Sequence, residues 1–248
     1  MLMSLRFFSF AWHAVLEVLY PTFCPVCKGK LMEDESVVCS DCVASIPRTE
    51  HAILEQNGID LLFLELIQKE SRTVRFERGA AFAFYNRERG FALRTLIEQG
   101  KYGTHPDPQI FYFLGRLAAQ EYIDSDIFDD IDYLVPVPLH PRRLRQRGFN
   151  QAEWICKGLS EVLHIPMDTE HLIRTRNNPH QSRSLFEKRQ DNVKDIFAVR
   201  YPEEWKNKHI LLVDDVITSG STMFACMQQI TPIRACRISV FALGWAHK

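Results

Sequence analysis

Ile210-Leu211-Leu212-Val213-Asp214-Asp215-Val216-Ile217-Thr218-Ser219-Gly220-Ser221-Thr222 is the stretch on which the reading of this chain turns. Ile210–Val213 is a short apolar run without alternation, which suits a central parallel strand buried on both faces. Two acids follow, then a loop of small hydroxyl residues with one glycine, then a helix predicted over Thr222–Ile230. The carboxyl end of a strand is where open α/β sheets place their ligands. Small residues let backbone N–H groups close around a phosphate, and the helix N-terminus adds the positive end of its dipole. Thr218, Ser219, Ser221 and Thr222 supply hydroxyl donors, while Asp214 and Asp215 can accept from vicinal sugar hydroxyls. The stretch has no G-K-S/T lysine of a P-loop and is not G-x-G-x-x-G.

Outward from this stretch, residues 76–248 alternate strand-like and helix-like segments, the mark of an α/β domain. Strands are predicted at Gly79–Tyr85, Tyr133–Val137, His171–Arg174, Ile196–Val199 and Ile238–Ala242, and helices at Gly90–Glu98, Pro108–Tyr122 and Gln151–Leu163. Residues 51–75 read as a helical linker. Residues 1–50 hold an apolar N-terminal segment and four paired cysteines. In the N-terminal segment, Leu5, Phe8, Trp12, Val15, Leu16 and Leu19 recur at helical spacing, which predicts an amphipathic helix packed on the rest of the protein. Arg6, His13 and Glu17 interrupt any run of membrane-spanning length, and Tyr20-Pro21-Thr22-Phe23 is a poor leader-cleavage site.

Cys24-Pro25-Val26-Cys27 and Cys39-Ser40-Asp41-Cys42 form two C-x2-C knuckles. Each two-residue spacer aims both sulfurs at one point, and four thiolates in a tetrahedron are what a structural zinc ion takes. With four protein ligands such a metal has no open position, so its expected role is folding rather than catalysis. This usage points to a reducing, cytoplasmic compartment. Cys156, Cys226 and Cys236 lie among apolar residues and are expected in the core.

The 248 residues are 46% hydrophobic and 25% charged with a formal net charge of −1, as in an ordinary globular protein without a global basic field. Basic residues are instead local. Leu134-Val135-Pro136-Val137-Pro138-Leu139-His140-Pro141 is followed by Arg142, Arg143, Arg145 and Arg147, then Gly148-Phe149-Asn150-Gln151. Pro141 is expected to hold the arginines in a loop at a strand end, where they could meet a pyrophosphate, a nucleic-acid backbone or only solvent. A second basic segment runs from Arg174 and Arg176 through Arg183 to Arg189. Residues 1–75, with seven basic and ten acidic side chains, make a poor DNA platform.

The 210–222 stretch closely resembles the phosphoribosyl-pyrophosphate motif of type I phosphoribosyltransferases. With the basic segments and the cysteine pairs, nearly the whole chain resembles the ComF family of competence-associated bacterial proteins. That resemblance implies a type I phosphoribosyltransferase-like parallel sheet flanked by helices, preceded by a small zinc-binding module. It implies that Asp214, Asp215 and Thr218 to Thr222, with Gly220 among them, hold the ribose 5-phosphate part of 5-phosphoribosyl-1-pyrophosphate, accompanied by magnesium. Lys101, of the Lys101-Tyr102-Gly103 run the family often shows, and Arg142, Arg143, Arg147, Arg183 and Arg189 are the implied pyrophosphate or hood residues. The family context adds DNA uptake, with single-stranded DNA and a DNA translocase as partners, and leaves two roles open. One is a transferase passing the ribosyl group to an acceptor. The other is a module that keeps the ligand site for regulation. Many family members carry further cysteines after the paired ones; residues 43–75 contain none, which argues against a second zinc site.

Overall fold

The computed structural model describes residues 22–70, 74–86, 90–175 and 196–246. The segment of the expected N-terminal helix and Arg176, Arg183 and Arg189 lie outside the described residues. A four-stranded, all-parallel sheet forms the centre, with strands β1 (Phe76–Phe84), β2 (Tyr133–Pro136), β5 (His209–Ile217) and β6 (Arg237–Trp245) in the order β1-β6-β5-β2. Strands β3 (Leu172–Arg174) and β4 (Phe197–Val199) form a separate antiparallel pair.

Strand β5 is buried on both faces, as its unbroken apolar run requires. Leu211 and Val213 point into a core shared with helices α3 (Phe91–Tyr102), α4 (Pro108–Glu121) and α6 (Gln151–Leu163). Ile210 and Leu212 point into the opposite core, shared with α2 (Gly58–Glu70) and α7 (Ser221–Ile230). Cys156, Cys226 and Cys236 are all buried in these cores, and burial pushes their thiols up. Close approach needs glycine where α4 meets α6: a Cβ on Gly115 would sit 2.4 Å from the Ile155 carbonyl oxygen.

Two expectations from the sequence are corrected. The arginine segment is not a loop but a short helix, α5 (Pro141–Arg147). Proline at the first helical position costs no hydrogen bond and presets φ, so Pro141 starts the helix. His140 caps it, its Nδ1 accepting from the Arg142 N–H at 3.1 Å, and Gly148, at φ 86°, ends it. Second, β5 does not stop at the acids: it runs through them to Ile217, still paired with β6 as far as Ile217 opposite Trp245. Apolar periodicity could not reveal this, because the acids interrupt the apolar run while the backbone stays extended. Phe82 is buried in the core, whereas Phe91 is 64% exposed.

The cysteine-bearing segment is stitched to the edge of the sheet. Residue 48 bridges antiparallel to Ala83 of β1, with Phe84 N–H donating to Pro47 O and Thr49 N–H to Phe82 O. Arg48 grips Glu121 of α4 through both carboxylate oxygens and lies over the Phe82 ring, 4.6 Å from its centroid. Planar two-point pairing of this kind suits guanidinium and not ammonium.

His51, in the turn after this edge, is 4% exposed, with its ring 4.8 Å from that of Trp245. Burial pushes it down to about 4. A folded-state value below the unfolded one means the contribution is complete above about pH 6.5 and is lost as pH falls. The wild type should lose on the order of 2–3 kcal/mol of stability through this residue between pH 7 and pH 4. His51→Phe should flatten that limb in thermal midpoints measured across pH; an unchanged limb would place the acid sensitivity elsewhere.

Candidate functional site

The site begins where β2 ends. Pro136 opposite Val213 is the last register pair of β2, and one further bond, Val137 N–H to Val213 O at 2.9 Å, closes the ladder. Beyond it Asp214, Asp215, Val216 and Ile217 continue alongside β6 alone. The acids therefore stand on the carboxyl edge of the sheet with one flank unpaired by a strand, although they belong to a strand themselves.

Period-two alternation sends their side chains to opposite faces. Asp215 turns toward the α3 and α6 side. Its Oδ2 accepts from Lys101 Nζ at 2.7 Å and from Gln151 Nε2 at 2.7 Å. Lys101 ends α3, and Gln151 opens α6 directly after its cap, Asn150. The Asn150 side chain accepts from Ala152 N–H and donates to Val137 O, locking the start of α6 to the end of β2. Asp214 turns toward the α7 side. Burial, and then the Asp215 carboxylate beside it, push it up to about 7, while the Asp215 N–H donates to its Oδ1 at 2.8 Å. Arg174, on β3, lies within electrostatic reach of Asp214, and its Nε is buried with no hydrogen-bond partner among the described residues.

After Ile217 the chain turns through Thr218, Ser219 and Gly220 into α7. Gly220 has φ 71°, a left-handed value that favours glycine, and its carbonyl accepts from Phe224 N–H to start the helix. A Cβ there would also press Leu66, Leu62 and Phe63 of α2 at 3.1 to 3.4 Å, so α2 backs the loop from behind. Thr218, Ser219, Ser221 and Thr222 are exposed, and the Ser219 and Ser221 hydroxyls sit 2.9 Å apart. The result is a concave run of hydroxyls and free helix-terminal N–H groups, the arrangement that receives a phosphate.

Lys101 sits on Asp215, and Arg147 lies over the ring of the adjacent Tyr102, 5.2 Å from its centroid. Arg142, Arg143 and Arg145 project from α5 into solvent. His140 has its Nε2 buried without a partner among the described residues, and burial and nearby Arg174 hold it below the usual histidine range. Gln151 and Arg174 are site residues the sequence reading did not select. Gln151 could have been found from its place after the Asn150 cap, whereas Arg174 carries no local signal.

At the other end, the sulfurs of Cys24, Cys27, Cys39 and Cys42 all lie within 4.8 Å of one another, and Cys27 and Cys39 are 3.6 Å apart. A tetrahedron of about 2.3 Å metal–sulfur bonds has edges of about 3.8 Å, so the four can hold one metal ion. The first knuckle is shaped by Lys28 at φ 63° and by Gly29, whose N–H donates to Cys27 Sγ at 3.4 Å and whose carbonyl accepts from Cys24 N–H. No helix among the described residues is long and apolar enough to cross a membrane.

A parallel sheet bearing this strand–acid pair–hydroxyl loop–helix junction, behind a four-cysteine module, defines a phosphoribosyltransferase-like protein. No protein-family model matches the chain. It is 29% identical over 231 residues to the DNA utilization protein YhgH of Escherichia coli K12, covering 90% of this chain and 96% of that protein. It is 32% identical over 115 residues to competence protein F of Haemophilus influenzae, which is 46% of this chain and 50% of that protein. It is 31% identical over 121 residues to competence protein ComFC of Bacillus subtilis, 48% of this chain and 47% of that protein. The chain is thus similar to bacterial proteins named for DNA utilization and for competence. Among solved structures, the glutamine phosphoribosylpyrophosphate amidotransferase of B. subtilis aligns with a TM-score of 0.40 and 18% identity over 58% of this chain and 30% of that one. The adenine phosphoribosyltransferase of Leishmania tarentolae aligns with a TM-score of 0.36 and 12% identity over 73% of this chain and 86% of that one.

Proposed function

We propose that this protein binds 5-phosphoribosyl-1-pyrophosphate with magnesium at the β5–α7 junction and serves in DNA uptake or use. The observation that carries this reading is the acid pair on the open sheet edge, leading within three residues into the hydroxyl loop at the start of α7. The loop Thr218 to Thr222 receives the 5-phosphate, Asp214 and Asp215 accept from the ribose hydroxyls, and Lys101, Arg147 and the end of β2 face the pyrophosphate. Magnesium takes oxygen ligands, which the two carboxylates and the ligand's phosphates provide. The cations around the acids suit a leaving pyrophosphate, whose charge they would stabilise as ribose C1 becomes electron-poor. Names of relatives that refer to DNA utilization and competence support the DNA link.

Ligand at a hundredfold its dissociation constant should stabilise the fold by about 2.7 kcal/mol, visible as a raised thermal midpoint. Asp214→Asn with Asp215→Asn should abolish the shift while the ligand-free protein stays folded. A shift that survives in the double variant would move the site elsewhere. Pyrophosphate released on adding nucleobases, amines or DNA would mark a transferase; none would mark a binding module.

The four cysteines serve, in this reading, one structural zinc ion. Elemental analysis should find one zinc per chain, and Cys39→Ser should release it and loosen the segment around residues 22–50, because ligand energy is also folding energy. Folded protein without zinc would contradict this.

A role on DNA is favoured by one observation, the row of exposed Arg142, Arg143 and Arg145 on α5 beside the ligand site. Single-stranded DNA should bind weakly and without sequence preference, with affinity falling with salt at a log–log slope of about −0.7 per phosphate contacted. Changing these three arginines to alanine should remove most of that binding in an anisotropy titration. Equal binding by both proteins would assign the DNA link to a partner such as a translocase.

A further inference from the structure

The ion pair between Lys101 and Asp215 raises a question that the ligand reading leaves open. Both side chains are withdrawn from water, at 14% and 9% exposure. One carboxylate oxygen, Oδ2, carries both Lys101 Nζ and Gln151 Nε2, each at 2.7 Å. A ribose diol that uses Asp215 must therefore share this carboxylate with the lysine or displace it. A lysine displaced from a buried pair and given no new partner is costly, because its charge remains in a poorly solvated place. Displacement is tolerable only if the arriving ligand brings its own anion within reach of the ammonium.

We infer that Lys101 is a selectivity latch: it holds Asp215 in the ligand-free protein and lets go only for a ligand that carries both a ribose diol and a pyrophosphate. The inference rests on the ligand reading above and adds the discrimination between 5-phosphoribosyl-1-pyrophosphate and ribose 5-phosphate. Three features support it. Lys101 is the penultimate residue of α3, and Gly103 follows the helix, so the lysine sits at an end rather than in a rigid middle turn. Its neighbour Tyr102 is 70% exposed and carries the Arg147 guanidinium on its ring, and Arg147 Nη1 is buried without a hydrogen-bond partner. A second cation therefore packs on the residue next to Lys101. Gln151 is 5% exposed and is fixed by the Asn150 cap, so its amide keeps a donor on Asp215 when the lysine leaves. Gln151 is thus a positioning residue, holding the carboxylate in place for the ligand. Its Oε1 is buried with no partner among the described residues.

The test is titration calorimetry of the full chain with magnesium present, using 5-phosphoribosyl-1-pyrophosphate and ribose 5-phosphate as separate ligands. The wild type should prefer the pyrophosphate-bearing ligand by on the order of a hundredfold. Lys101→Met should bind ribose 5-phosphate more tightly than the wild type and the pyrophosphate-bearing ligand more weakly, shrinking the preference to about tenfold or less. Lys101→Arg, which keeps the charge, should retain most of the preference, and it carries the test if the methionine variant does not fold. Gln151→Leu should weaken both ligands alike. A Lys101→Met preference equal to that of the wild type, or a Lys101→Arg preference lost as fully as in Lys101→Met, would overturn the latch and leave the ligand reading standing. A wild type that binds neither ligand would overturn both.

Discussion

Strand β5 outruns its neighbour β2, and the site depends on that mismatch of lengths. The β2–β5 register ends at Pro136 opposite Val213, while β6 follows β5 to Ile217. The last bond of that pairing is Val137 N–H to Val213 O, one residue beyond Pro136. The four extra residues of β5 carry the two acids, held in extended geometry by β6 on one side and open on the other. Extended backbone divides the pair between two faces, giving each carboxylate its own surroundings. Asp215 receives Lys101 and Gln151 from the α3 and α6 side, and Asp214 lies toward Arg174.

The rest of the architecture supplies walls for this edge. Helix α6 is tied to the end of β2 through Asn150, so Gln151 is delivered to Asp215 by a helix cap rather than by a flexible side chain reaching across a gap. Helix α2 backs the Thr218–Thr222 loop through Leu62, Phe63 and Leu66 around Gly220. The cysteine-bearing segment leads into α2 through the edge strand at 47–49 and the turn at His51. The cysteine cluster and the Thr218–Thr222 loop are therefore joined by a short covalent path: loosening the cluster would loosen the element that precedes the helix behind the loop.

Much of this was legible in the sequence because its signals are local. The apolar run 210–213, the adjacent acids, the small hydroxyl loop and the paired cysteines each carry their meaning within a few residues, and the structure places them as a strand, its continuation, a helix-capping turn and a cluster of converging sulfurs. What was misread depended either on a local ambiguity or on partners distant in sequence. Pro141 reads either as a breaker or as a first helical residue, and only the neighbouring His140 cap decides. The strand extends through Asp214 and Asp215 because β6 pairs with them, a fact located near residue 242. The place of Arg174 comes from tertiary contacts, whereas that of Gln151 also has a local signal in the Asn150 cap. Lys101 was selected by family resemblance, but its position on Asp215 could be seen only in three dimensions.

The central claim is that the β5–α7 junction is the seat of a phosphorylated, pyrophosphate-bearing ribose. A crystal structure of the chain soaked with 5-phosphoribosyl-1-pyrophosphate and magnesium tests it most directly. The account predicts the 5-phosphate against the backbone N–H groups and hydroxyls of Ser219 to Thr222, the ribose diol on Asp214 and Asp215, and Lys101 turned from Asp215 to the pyrophosphate. Ligand density anywhere else, such as the groove between the cysteine segment and α4, with the Lys101–Asp215 pair intact, would contradict it.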